Sequence, residues 1–116
     1  MALWAYFPAE SAGEPEIGAP DPDRVVAGAP SFRTWNAYES ADGKTFCGVW
    51  EATEGRWRVS YDEWESCTLL SGHSIVTPED GPPVHLRSGD TFVFEPGFRG
   101  TWEVVETTRK TYVIRL

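Results

Sequence analysis

Turn-forming clusters break the chain at short intervals from residue 31 onward, and nothing else limits its fold as strongly. They stand at Ala41-Asp42-Gly43, near Gly55, at Pro78-Glu79-Asp80-Gly81, at Ser88-Gly89-Asp90 and at Glu95-Pro96-Gly97. Glycine, proline and aspartate punctuate a chain because they supply the backbone angles that turns need. The segments between are rich in β-branched and aromatic residues: 31–38, 45–51, 56–61, 66–70, 73–77, 84–86, 91–94, 101–105 and 110–114. Residues 56–61 alternate cleanly, with Trp57, Val59 and Tyr61 on one face and Arg56, Arg58 and Ser60 on the other. About nine short strands at this spacing predict an all-β sandwich or barrel, and a double-sheet jelly roll manages its edges by wrapping two sheets together. No segment holds a 3.6-residue period with capping signals, so helix should be nearly absent.

Residues 1–30 read differently. Pro8, Pro15, Pro20, Pro22 and Pro30 leave no helical or strand period intact. They predict an extended N-terminal arm, rich in proline, glycine and acid, ahead of a single barrel domain at residues 31–116. The arm is either a free tail or docked on the body or on a partner subunit; Trp4, Tyr6 and Phe7 favour docking, since three aromatics would otherwise sit in water. A chain of 116 residues fits one domain. A net charge of -8 argues against nucleic acid and against an anionic membrane surface as partners. No apolar run is long enough for a transmembrane helix, and the N-terminus lacks the basic n-region of a signal peptide. Cys47 and Cys67 are too few for a disulfide framework, so a reduced pair in a cytoplasmic protein is expected. His73 and His85 have no metal-type spacing, and His85, just before a turn, should lie at the surface.

Four stretches recur in a familiar order. Gly48-Val49-Trp50-Glu51 opens the region, and Glu65 stands seven residues before Gly72. Gly89-Asp90-Thr91-Phe92-Val93-Phe94-Glu95-Pro96-Gly97 follows, then Phe98-Arg99-Gly100-Thr101-Trp102-Glu103 and Arg109-Lys110-Thr111-Tyr112. In order and spacing these residues resemble the cupins, and in particular the short single-domain cupins related to (S)-ureidoglycine aminohydrolase. The resemblance implies a cupin-type double-stranded β-helix, a jelly-roll barrel, and a homodimer paired through sheet edges. It also implies where a metal would sit: two histidines two apart, a carboxylate four later, and a third histidine in the second motif. Here those places hold Val59, Tyr61, Glu65 and Gly100. Val59 and Gly100 carry no donor, and a protonated tyrosine is a poor ligand. No metal and no other cofactor is therefore expected. The resemblance further implies an active-site tyrosine on the last strand, a place that Tyr112 fills.

Alternation gathers Trp57, Val59 and Tyr61 on one inner face, Glu65 and Cys67 on the next, and Gly100 and Trp102 on that of the second motif. With Tyr112 they outline a ligand pocket with aromatic walls and one carboxylate. Trp57 and Trp102 can fill core or stack on a planar ligand. Glu65 carries the functional expectation, because a carboxylate facing an apolar barrel is costly unless it is paired. Cys67 reads as a packed hydrophobe, with no histidine in its motif to activate it. Arg109 and Lys110 read as a solvated charge pair. The expected function is metal-independent binding of a small neutral or cationic molecule. The alternative is an enzyme of nitrogen or carbohydrate metabolism, with Glu65 as general acid or base alongside Tyr61 or Tyr112.

Overall fold

The computed structural model describes residues 3–10 and 13–116. Nine antiparallel strands follow one another: β1 (Glu16–Gly18), β2 (Val25–Gly28), β3 (Phe32–Glu39), β4 (Thr45–Ala52), β5 (Gly55–Ser60), β6 (Trp64–Pro78), β7 (Val84–Arg87), β8 (Thr91–Phe94) and β9 (Arg99–Arg115). One 3-10 turn, Pro22–Arg24, separates β1 from β2, and the described residues contain no α-helix.

Two long strands organise the rest. Residues 108–115 of β9 lie between β4 and residues 64–69 of β6, whereas residues 99–104 of β9 lie between β5 and residues 74–78 of β6. Each long strand therefore serves two sheets. One sheet runs β1-β3-β4-β9-β6-β8 and the other β2-β5-β9-β6-β7. Facing each other across a shared apolar interior, they make the jelly-roll barrel that the turn spacing predicts.

The turn spacing predicts four short strands where the structure has two long ones. Residues 66–70 and 73–77 are two halves of β6, and 101–105 and 110–114 are two halves of β9. The interruptions are bends within the strands. Register shifts cluster between Leu69 and Ser74, opposite residues 104–110 of β9. Gly72 sits there at φ +92°, and a Cβ on it would lie 2.1 Å from the Thr107 carbonyl oxygen. Only glycine meets both demands, so the bulge bends the pair of strands from one sheet into the other. The bend is also cross-linked inside. Trp102 Nε1 donates to Ser74 Oγ (3.1 Å), and Ser74 Oγ lies 2.7 Å from Thr108 Oγ1. All three residues are buried, so this relay satisfies polar atoms that have no access to water.

The arm also departs from expectation. β1 pairs with β3 and β2 pairs with β5, so short strands do form among the prolines. Both are edge strands, where proline neighbours are tolerated because only one side must be hydrogen-bonded. The arm rests on the body through backbone acceptors: Arg109 Nη1 donates to the carbonyls of Ala9 and Glu10, and Trp35 Nε1 to that of Gly13. Trp4 and Tyr6, expected to dock, remain exposed, and only Phe7 of the three is half-buried. Residues 1, 2, 11 and 12 of the arm lie outside the described residues.

Candidate functional site

Between the two sheets lies a cavity of about 630 Å³. Its apolar walls are aromatic. Trp57 from β5 and Trp102 from β9 stack at 6.3 Å with their planes 17° apart, and Trp50 from β4 meets Trp102 edge-on at 5.5 Å. Phe32 closes the same wall, 5.1 Å from Trp57. Six of the eight residues expected to form the pocket line it: Trp57, Val59, Tyr61, Glu65, Trp102 and Tyr112. Cys67 is buried beside Glu65 and off the cavity wall, and Gly100 lines a separate notch outside.

The polar pole of the cavity holds Lys110, which the sequence predicts at the surface. Lys110 is not solvated beside Arg109. It is 4% exposed, and its Nζ donates to Glu65 Oε2 at 2.9 Å. Alternation on β9 turns Lys110 inward with Tyr112, while Arg109 points out to pair with Glu51 at 3.1 Å. Lys110 Nζ also stands 4.6 Å from the ring centre of Trp50 and 4.7 Å from that of Trp102. The aromatic box is thus filled by the chain's own cation. Cys67 Sγ donates to the same Glu65 Oε2 at 3.1 Å. Both bonds fall on Oε2, which leaves Oε1 and the remaining Lys110 N–H groups for a ligand.

Protonation follows from this packing. Burial pulls the Lys110 pKa down, but the adjacent Glu65 charge, with Cys67 and Tyr61, outweighs it and holds the ammonium protonated well above the usual range. Burial pushes the Tyr61 hydroxyl up and raises the Cys67 thiol to about 12. Tyr112 is raised by burial to about 12. Its hydroxyl donates to Asn36 Oδ1 at 2.7 Å rather than to a backbone group. Gly48 makes room for it, since a Cβ there would lie 2.7 Å from Tyr112 Oη and 2.1 Å from the Trp35 carbonyl oxygen.

All four groups keep their protons in the folded chain at pH values where the unfolded chain loses them, near 9.0 for Cys67, 10.0 for the tyrosines and 10.5 for Lys110. A raised folded-state pKa gives stability that is whole below the unfolded value and lost as pH climbs toward the folded one. The melting temperature should therefore hold level from about pH 7 to 8.5 and fall steadily above about pH 9. Calorimetric scans across that range check it, and a flat profile to pH 11 would contradict the burial of these groups. Cys67→Ala should make the fall just above about pH 9 shallower without abolishing it, because burial raises the Cys47 thiol as well.

The residues at the expected metal places do not fit a metal ion. Val59 and Gly100 offer no donor atom, Tyr61 stays a neutral phenol, and the Glu65 carboxylate already faces an ammonium. Among the described residues no three histidine, cysteine, aspartate or glutamate side chains converge. His73 and His85 do meet, with Nε2 of one 2.8 Å from Nδ1 of the other, on the outer face of β6 and β7. No spacing rule signals that contact, because strand pairing brings the two together. Cys47 and Cys67 are both free thiols.

Residues 39–112 match the model of the EutQ-like cupin domain. No curated protein matches the chain. Among solved structures, a protein of unknown function from Pseudomonas syringae pv. tomato, of the DUF861 family, superposes with a TM-score of 0.84 at 23% identity. The match covers 93% of this chain and 46% of that one, so the chain spans about half the length of that neighbour. A DUF861 family protein from Thermotoga maritima is 38% identical over 55% of this chain and 73% of its own, with a TM-score of 0.53. The EutQ protein of Clostridium difficile gives a TM-score of 0.65 at 20% identity, covering 84% of this chain and 79% of that one. The Pseudomonas and Clostridium likenesses speak for the fold alone.

Proposed function

Since the chain belongs to the EutQ-like cupin domain family, we propose that it uses the barrel interior, without a metal ion, to bind a small planar molecule carrying adjacent N–H and carbonyl groups. The buried Lys110–Glu65 pair carries this reading. Oε1 of Glu65 accepts from the ligand N–H, a free Lys110 N–H donates to its carbonyl, and the ring lies against Trp57 and Trp102. Lys110 also revises the expected ligand charge. With Glu65 neutralised and the aromatic box already occupied, a cationic ligand loses its attraction. Neutral rings are favoured.

The kinship with the ureidoglycine aminohydrolases, inferred from motif order, extends in this reading to the barrel and to Tyr112, but not to metal-dependent hydrolysis. An acid/base enzyme built on Glu65 is the weaker alternative. At neutral pH Lys110, Tyr61 and Tyr112 all hold their protons, so the cavity is rich in donors and poor in bases.

Titration with uracil, hydantoin and 2-pyridone, followed by tryptophan fluorescence, tests the proposal. At least one should quench saturably, and Glu65→Gln should weaken it by about tenfold or more. Binding by none of the three, or binding indifferent to Glu65→Gln, would defeat the reading. Product formation lost in that variant with binding kept would favour the enzyme. Pairing of two copies through sheet edges belongs to the same proposal, and a monomer mass in light scattering would remove it.

A further inference from the structure

We propose that the notch outside the cavity mouth binds an oxyanion, phosphate or carboxylate, borne by the same ligand whose ring enters the barrel. Three arginines from three elements line it: Arg24 of the 3-10 turn, Arg58 of β5 and Arg99 of β9. Asp23 and Glu79 stand on the same rim, which leaves the notch with one net positive charge in a chain of net -8. Two of the arginines are held by neutral acceptors. Arg58 Nη2 donates to the Asp23 carbonyl, and Arg99 Nη1 to Ser60 Oγ. The ion pairs of the described residues involve Arg33, Arg109 and Lys110 and none of these three. Each anchored guanidinium therefore keeps most of its five donors and all of its charge.

Strand pairing explains why the notch communicates with the cavity. β2 covers β5 only as far as the Val25–Trp57 pair. Beyond it, residues 58–60 have β9 on one side and no strand on the other. The notch and the cavity share Arg24, Arg58, Val59 and Ser60 in their walls along this open edge. A ligand that stacks its ring on Trp57 can pass a flexible arm over that edge to the arginines.

This inference rests on the cavity reading above, and the test separates the two. Calorimetric titrations use uridine (ring only), uridine-5′-carboxylate and uridine 5′-monophosphate (ring with each oxyanion), and ribose 5-phosphate (anion only). One or both of the charged uridines should bind at least about tenfold tighter than uridine, and their ranking tells which oxyanion the notch prefers. Arg99→Gln, which lines the notch and not the cavity, or salt at about 0.5 M, should close most of that gap while leaving uridine unchanged. Equal affinity for charged and neutral uridines would overturn the notch and leave the cavity standing. Ribose 5-phosphate binding as well as the monophosphate, with uridine inert, would leave an anion site and overturn the shared ligand. No binding by any of the four would overturn both.

Discussion

Lys110→Met should cost the fold about 3–5 kcal/mol, measured as a lowered urea midpoint, because it leaves the buried Glu65 carboxylate without a counter-charge. A domain of this size is stable by about 5–15 kcal/mol in total, so the variant should sit near the edge of folding. A second variant keeps the result readable. Lys110→Met/Glu65→Leu removes both charges and should recover most of the loss, since apolar replacement of a buried pair is often neutral or stabilising. If the double variant is no more stable than the single one, the cost came from lost packing and the ion pair is not the cause. If Lys110→Met unfolds at the wild-type midpoint, Glu65 is not the buried charge described above.

The second large effect concerns Gly100, the place where a metal-binding relative would carry a histidine. Gly100→His should cost about 3 kcal/mol or more, at the upper end of overpacking effects. The reason is spatial. Gly100 is wedged between β6 and β5, opposite Pro78 on one side and Val59 on the other. A Cβ there would lie 2.3 Å from the Thr77 carbonyl oxygen and 3.1 Å from Pro78 Cα, both backbone atoms that cannot swing aside. Even Gly100→Ala should lower the melting temperature by about 10 °C. Grafting histidines at Val59, Tyr61 and Gly100 should therefore fail to fold rather than bind zinc. A stable Gly100→His protein would show that the neighbouring β6 backbone yields. The missing metal ligand is then a matter of strand packing as much as of donor chemistry.

Turn residues and alternation carried much of the fold in plain view. Strand edges at 45, 56, 84 and 91 fell within a residue of their places because glycine, proline and aspartate mark turns for local reasons. Ser71-Gly72 and Glu106-Thr107 looked like further breaks. A bulge uses the same glycine chemistry as a turn, and only the pairing of β6 with β9 distinguishes them. β1 and β2 were hidden for the converse reason, since their pairing is set by the body of the barrel and not by their own sequence.

The site was legible in outline through Trp57, Tyr61, Glu65 and Trp102. Lys110 was missed because lysine is almost never buried unless it is paired. Two signals pointed to it. Tyr112 was placed inward, so a residue two before it on the same strand shares its face. Glu65 also needed a partner, and Arg58 was on the wrong side of its strand. The arginine notch was not legible at all, because its three members are far apart along the chain.

The central place of β9 also sets a timetable. It pairs with β4, β5 and β6, and it follows all of them along the chain. During synthesis from the N-terminus, neither sheet can close until this strand has emerged. Until then β4, β5 and β6 present open edges and an uncovered row of aromatics. Long-range pairing of this kind is slow to form, and unfinished sheets are prone to join one another. The acidic surface, and the arm strands that cover β3 and β5, would protect the waiting intermediate from aggregation as well as serve the finished barrel.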